Sequence, residues 1–196
     1  MRKLFIMTLL IACCISLSLG QTTDDPKNEF FVGYSYHSAD INTLTIDPQR
    51  TGQNGVNVAY KRNLNRNIGL KLDASAHFKR DSQQLSGGQF SRERDQYYFL
   101  GGAEFKASSD SRVTPFAQAL VGASLFRGFT SNTTPAGNIF TFDNATSFAM
   151  ALGGGLDVRA NDRIAIRIIQ ADYAPTFFGS GRQDNIRLSF GVIFKR

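Results

Sequence analysis

The segment "IRLSFGVIFKR" (186–196) alternates in side-chain character along its length and decides the fold class. Its apolar phase consists of Ile186, Leu188, Phe190, Val192 and Phe194. Its other phase consists of Arg187, Ser189 and Gly191. A period of two puts the phases on opposite faces of a β-strand. Such a strand fits a water-soluble barrel or sandwich with its apolar face inward, or a transmembrane barrel with that face in lipid.

The same alternation recurs along the chain and predicts eight strands. They lie near residues 29–37, 54–62, 68–79, 94–106, 113–126, 145–158, 164–173 and 185–195. The fifth strand is mixed, because Phe116, Leu120 and Phe126 fall on its polar phase. The seventh changes phase near Ile168 and Ile169, which predicts a β-bulge.

The connections between these strands alternate in length. Short, turn-like ones occupy 63–67, 108–112 and 159–163, and long ones occupy 39–53, 80–93, 127–144 and 174–184. Four long loops would be unusual in a compact soluble domain. They are typical of a transmembrane barrel with tight periplasmic turns and long extracellular loops. We therefore expect an all-β chain that forms an eight-stranded antiparallel up-and-down transmembrane β-barrel with four long extracellular loops.

Side-chain size indicates which phase faces inward. Most apolar-phase residues are larger than alanine, and an eight-stranded interior is too narrow to hold them all. The other phase is rich in glycine, with Gly33, Gly55, Gly69, Gly102, Gly122, Gly153, Gly155 and Gly191. This phase therefore predicts a narrow polar lumen, although a soluble barrel remains the alternative.

Six charged residues fall on the inward phase and form a candidate lumen network. They are Lys71, Asp73, Glu104, Arg167, Asp172 and Arg187. Charges in a narrow, poorly hydrated space are expected to pair and to hydrogen-bond. Arg167 and Arg187 are the expected hubs, since one guanidinium can bind two carboxylates. The pairing would plug the lumen.

The N-terminal segment has the layout of an export signal. Arg2 and Lys3 precede an apolar run that ends in small residues before Gln21. We expect residues 1–20 to be a signal peptide that is removed and residues 21–196 to be the barrel domain. The alternative is lipidation of Cys13. Cleavage after Gly20 would leave a chain without cysteine, and hence without disulfides or thiolate metal ligands.

Composition argues against several function classes. The chain has 22 Lys and Arg residues and 16 Asp and Glu residues; Arg2 and Lys3 lie in the predicted signal, which leaves a charge of about +4. These charges are dispersed, so nucleic-acid binding is not expected. No motif predicts a metal or another cofactor. His37 and His77 are expected to be polar residues at the barrel rim. Their alternative role is catalysis with Ser38, Ser75 or Asp40.

With these features the chain resembles the small bacterial outer-membrane β-barrel family of the OmpA/OmpX type. The resemblance covers essentially the whole mature chain. In that family the last strand is an assembly signal, and Ser189, Gly191 and Phe194 match its pattern. Lys195 and Arg196 stand where the family has a final aromatic residue. The resemblance implies a monomer in the outer membrane of a double-membraned bacterium, in contact with outer-membrane lipid and the outer-membrane assembly machinery.

Three function classes remain open at this stage. The favoured one is a structural, non-enzymatic barrel that displays its loops at the cell surface for envelope integrity, adhesion or interaction. The others are a narrow pore for small solutes and a lipid-modifying outer-membrane enzyme. The sequence does not identify a partner for the loops.

Overall fold

The computed structural model describes residues 27–40, 50–85, 88–107, 112–134, 137–178 and 181–196. The predicted signal peptide, with Cys13, lies outside these residues. Ten antiparallel strands form one sheet: β1 (Asn28–Asp40), β2 (Arg50–Asn63), β3 (Ile68–Leu85), β4 (Gly88–Lys106), β5 (Val113–Thr134), β6 (Gly137–Arg159), β7 (Ile164–Tyr173), β8 (Thr176–Phe178), β9 (Gly181–Gln183) and β10 (Ile186–Lys195). Within the described ranges, no helix is long and apolar enough to cross a membrane.

Eight of the strands close into a barrel. Each of the strands β1 to β6 pairs with the next strand along the chain, β7 pairs with β10, and β10 pairs back to β1. The closing seam runs from Glu29 opposite Lys195 to Ser38 opposite Ile186. This arrangement confirms the predicted eight-stranded antiparallel up-and-down barrel.

The short strands β8 and β9 continue barrel strands β7 and β10. Leu152 of β6 faces Tyr173, and Phe148 faces Phe177 in the same register. The strand is interrupted at Pro175, which has no backbone N–H to donate. Its carbonyl still accepts a hydrogen bond from the Met150 amide at 3.1 Å. The predicted loop at 174–184 is therefore largely an extension of the last hairpin.

Two further predicted loops are wrong, because strand pairing continues through them. β3 and β4 remain paired from Arg80 opposite Glu93 to Leu85 opposite Gly88. β5 and β6 remain paired from Arg127 opposite Asn144 to Thr134 opposite Gly137. Outside the membrane both faces of a sheet meet water, so these segments carry no period-two pattern. In the remaining loop, predicted at 39–53, β1 extends to Asp40 and β2 begins at Arg50.

The predicted bulge in β7 is confirmed. Ser189 of β10 pairs with Gln170, and Gly191 pairs with Arg167, so two β7 residues oppose one β10 residue. Ile168 and Ile169 both lie exposed on the outer surface. The extra residue lets Arg167 and Gln170 both point into the lumen, in keeping with the role of bulges in redirecting side chains.

The two phases of the barrel wall meet opposite environments. Outward side chains such as Leu72 (64% exposed) and Phe190 (55%) form an apolar surface, whereas Arg187 is 1% exposed in the lumen. A continuous apolar surface around a polar interior is the reverse of a soluble barrel and matches a wall that faces lipid. The soluble alternative is thereby excluded.

Candidate functional site: the charged lumen

Arg187 joins two carboxylates from different sides of the barrel. Its Nη1 lies 2.6 Å from Asp73 Oδ1, and its Nε and Nη2 donate to Asp172 Oδ2 at 3.0 and 2.9 Å. Nη1 also donates to Ser75 Oγ at 3.1 Å. The guanidinium has its five donors in a planar fork, which allows it to bind both acids at once.

Glu104 is the centre of a second cluster. Its Oε2 lies 3.0 Å from Lys71 Nζ and 3.3 Å from Arg167 Nη2. Arg167 also donates from Nε and Nη2 to the two oxygens of Asp157, at 2.7 and 3.1 Å. All four side chains are at most 4% exposed, so their charges compensate one another where water is scarce.

Two glutamines connect the clusters through Asp172. Gln118 accepts from Lys71 Nζ at 2.7 Å and donates to Asp172 Oδ1 at 2.6 Å. Gln170 accepts from Arg167 Nη1 at 2.6 Å and donates to Asp172 Oδ2 at 2.7 Å. The structure thus brings all six sequence-predicted lumen residues into one hydrogen-bonded network.

Besides the two glutamines, the network has four charged members that the sequence did not predict: Glu29, Lys61, Lys106 and Asp157. Lys61 Nζ lies 2.9 Å from Glu29 Oε2 and 3.0 Å from Glu104 Oε1. Lys106 Nζ lies 2.8 Å from Glu29 and 3.4 Å from Asp157. They occupy strand ends, where a charged residue looks like a solvated turn residue. Their place on the inward phase was the available signal.

Aromatic side chains fill the space beside the charges. The Arg167 guanidinium lies 3.9 Å from the Phe116 ring centroid and 5.1 Å from that of Phe31. This explains the mixed pattern of the fifth strand: Phe116 and Leu120 are buried in the lumen. A cavity lined by Glu104 and Arg167 measures about 10 Å³, the space of at most one water molecule.

His37 and His77 lie buried in the lumen, so their predicted position at the rim is wrong. Their ring centroids are 5.0 Å apart. His77 Nε2 hydrogen-bonds Ser35 Oγ at 2.9 Å, and His37 Nε2 hydrogen-bonds the Tyr98 hydroxyl at 2.8 Å. Neither ring faces the lipid surface, where a lipid-modifying enzyme would meet its substrate. Among the described residues, no cluster of three His, Cys, Asp or Glu side chains could hold a metal ion.

The residues of the predicted assembly signal occupy three different environments. Ser189 is buried in the lumen, where its Oγ donates to Ser35 at 3.0 Å. Gly191 faces Gly33 across the closing seam, where an added Cβ would collide with the Val32 carbonyl. Phe194 lies exposed on the outer surface. Their role in assembly stays a prediction.

The fold is similar to that of several solved structures. Ail, the attachment invasion locus protein of Yersinia pestis, matches with a TM-score of 0.59 and 16% identity, over 87% of this chain and 99% of Ail. The chain has the fold of the small outer-membrane β-barrels. A second structure of Ail, in complex with the heparin analogue sucrose octasulfate, matches with a TM-score of 0.59, 17% identity and the same coverage. Neisserial surface protein A matches with a TM-score of 0.47 and 13% identity, over 86% of this chain and 97% of that one.

At the level of sequence, no family model and no curated protein matches the chain. In outer-membrane barrels the short turns face the periplasm and the longer connections face the exterior. We therefore expect the turns after β2, β4 and β6, and with them the Glu29–Lys106 pair, on the periplasmic side. We expect the β3–β4 and β5–β6 hairpins on the extracellular side.

Proposed function

We propose that this protein is a structural, non-enzymatic outer-membrane barrel that presents two long strand hairpins at the cell surface and has a lumen closed to solutes. In this proposal residues 1–20 are a removed signal peptide, and the barrel is a monomer. The outer-membrane assembly machinery inserts it, with Ser189, Gly191 and Phe194 as its recognition signal. The charge network across the lumen is the observation that carries the proposal.

The density of the network supports a closed lumen. The carboxylates of Asp73, Glu104 and Asp172 reach side chains on other strands, so the network spans the bore. A solute would have to separate these buried ion pairs to pass, and leaving a buried charge unpaired costs about 3–5 kcal/mol. This energetic cost opposes the free passage of solutes through the lumen.

The hairpins support a role in surface contact. The extracellular end of β5–β6 carries a group of phenylalanines: the Phe129 ring centroid lies 5.1 Å from that of Phe142 and 6.2 Å from that of Phe140. Phe142 is 72% exposed. Exposed aromatic residues grouped on a protruding sheet are typical of contact surfaces. An attachment role of the kind stated in the name of Ail is included in this proposal.

Planar-bilayer recording tests the closed lumen. The purified barrel should give no long-lived steady currents. The double variant Lys71→Ala/Glu104→Ala removes one positive and one negative charge together with their bulk, so it should open a path and conduct.

The matched control for this recording is Ile166→Ala, which changes a side chain on the outer wall and should remain silent. Large, steady currents from the unmodified protein would overturn the closed lumen and favour the narrow pore.

A further inference from the structure

An apolar groove crosses the outer wall of β1 to β4. It has a volume of about 620 Å³, within the range of pockets that bind small ligands. Two small residues, Ala74 and Gly101, lie between larger neighbours that include Leu72 and Phe99. The groove reaches the periplasmic end of the wall, where the rings of Phe30 and Tyr60 lie 5.0 Å apart.

Gly101 keeps the groove open because it has no side chain, although the neighbouring backbone leaves room for a Cβ at this position. At the seam glycines Gly33 and Gly191 an added Cβ would collide with a neighbouring carbonyl. At Gly101 it would meet only the Leu72 side chain at 3.4 Å and the Lys71 carbonyl oxygen at 3.9 Å, which are ordinary contacts. The strand would therefore accept a larger residue here. What glycine provides at this position is unfilled space on the lipid side.

A positive charge stands at the periplasmic end of the groove. Arg62 is exposed, and it lies two residues beyond Tyr60 on the same face of β2. The Tyr60 hydroxyl donates to Asn28 Oδ1 at 2.8 Å, at the level where aromatic residues meet lipid headgroups. The nearby acid Glu29 points into the lumen, where Lys61 and Lys106 bind it. It therefore does not neutralise Arg62.

We propose that this groove binds one anionic phospholipid of the periplasmic leaflet, with an acyl chain over Gly101 and Ala74 and its phosphate on Arg62. Lipid tails are as apolar as the groove, so burial alone gives no preference among lipids. The groove fixes the position of the chain by packing, and the Arg62 charge selects the headgroup. The inference uses the membrane orientation of the proposed function but not the closed lumen.

Lipid retention tests the site. The barrel is folded in vesicles of equal parts phosphatidylglycerol and phosphatidylcholine and extracted into mild detergent, and bound lipids are counted by native mass spectrometry. One basic residue near the headgroups contributes about 1 kcal/mol, so phosphatidylglycerol should be retained with about fivefold preference. Arg62→Gln should abolish the preference while a lipid is still retained. Gly101→Leu should abolish retention.

Controls of the same chemistry lie on the opposite side of the barrel. Ala171→Leu enlarges an exposed residue of β7, and Arg163→Gln removes an exposed charge from the turn before it. Both should behave as the unmodified protein. Equal retention in Gly101→Leu, or a headgroup preference that survives Arg62→Gln, would overturn the proposal. An inverted orientation, measured independently by thiol labelling of intact cells, would instead contradict the proposed function.

Discussion

Arg187 shows at the scale of one residue why the lumen needs both signs of charge. Its side chain is 1% exposed, and the facing carboxylates of Asp73 and Asp172 are 0% exposed. Transfer of any one of these ions alone from water into such a site is strongly unfavourable. The three groups are stable there because the hydrogen bonds and opposite charges that they offer one another replace the water molecules each has lost.

Arg187→Ala should leave Asp73 and Asp172 without their shared cation. The expected loss is about 3–5 kcal/mol in the free energy of unfolding, the range for breaking a buried ion pair. Urea titration of the barrel in vesicles measures it.

Arg80→Ala is the control for this measurement, since its side chain is 79% exposed in a surface ion pair. It should change stability by no more than about 0.5 kcal/mol. A similar small change for Arg187→Ala would show that water reaches the lumen charges.

Phe194→Ala tests the assembly signal. The structure offers Phe105→Ala as the matched control, because Phe194 and Phe105 are exposed on the outer wall to 49% and 47%. The loss of lipid contact is therefore similar in both. Phe194→Ala should lower the yield of membrane-assembled protein in cells more than Phe105→Ala does. Equal yields would show that the closing strand is not recognised through this residue.

At the scale of strands, sequence periodicity predicts structure only where the two faces differ in environment. The wall strands alternate because one face meets lipid and the other meets the lumen, and their positions were predicted closely. At Phe140 to Phe142 of β6 the side chains of both faces are exposed, so alternation disappears while pairing continues. The extended hairpins were therefore mistaken for loops.

Excision of the outer part of the β5–β6 hairpin should leave the barrel intact. Gly128 and Asp143 form a cross-strand pair, so an Asn-Gly turn can replace residues 129–142. Exposed strands beyond the wall add little to stability, and the free energy of unfolding should change by less than about 1 kcal/mol. Urea titration in vesicles measures this too.

A deeper excision serves as the contrast. The same turn placed between Val121 and Met150, which are also paired, cuts into the wall and should prevent folding. If the shorter excision also prevented folding, the hairpin would be part of the folding unit rather than a displayed appendage.

The site shows the same limit on prediction as the fold. Lys71 and Glu104 were assigned to the lumen because they fall on the polar, inward phase of strands with clear alternation. Lys106 is the last residue of its strand, so only the residues before it place it on the inward phase, and it was not included in the predicted network. The histidines were placed on the correct phase but at the wrong depth, because depth depends on the tilt and stagger of strands around the barrel. Periodicity within one strand does not contain that information.

At the scale of the whole molecule, thiol labelling tests orientation. The only two cysteines lie in the predicted signal peptide, so single cysteines can be introduced into the mature chain. Ile139→Cys, on the exposed end of β6, should react with a membrane-impermeant maleimide on intact cells. Its hairpin is assigned to the extracellular side.

Arg163→Cys, in the exposed turn before β7, should react only after the outer membrane is permeabilised. The reverse pattern would show an inverted barrel. Labelling of both variants in intact cells would show that the protein is not held in a sealed membrane.

The sequence distance spanned by the lumen ion pairs has a kinetic consequence. Arg187 and Asp73 are 114 residues apart, and they meet only across a finished barrel. These bonds cannot form until the barrel wall has closed. They therefore stabilise the native state but not the earlier transition state for folding. Interactions of that kind slow unfolding while leaving the folding rate nearly unchanged. The lumen network therefore contributes mainly kinetic stability. Once the barrel has been inserted, the network slows its unfolding and so lengthens the lifetime of the folded protein in the membrane.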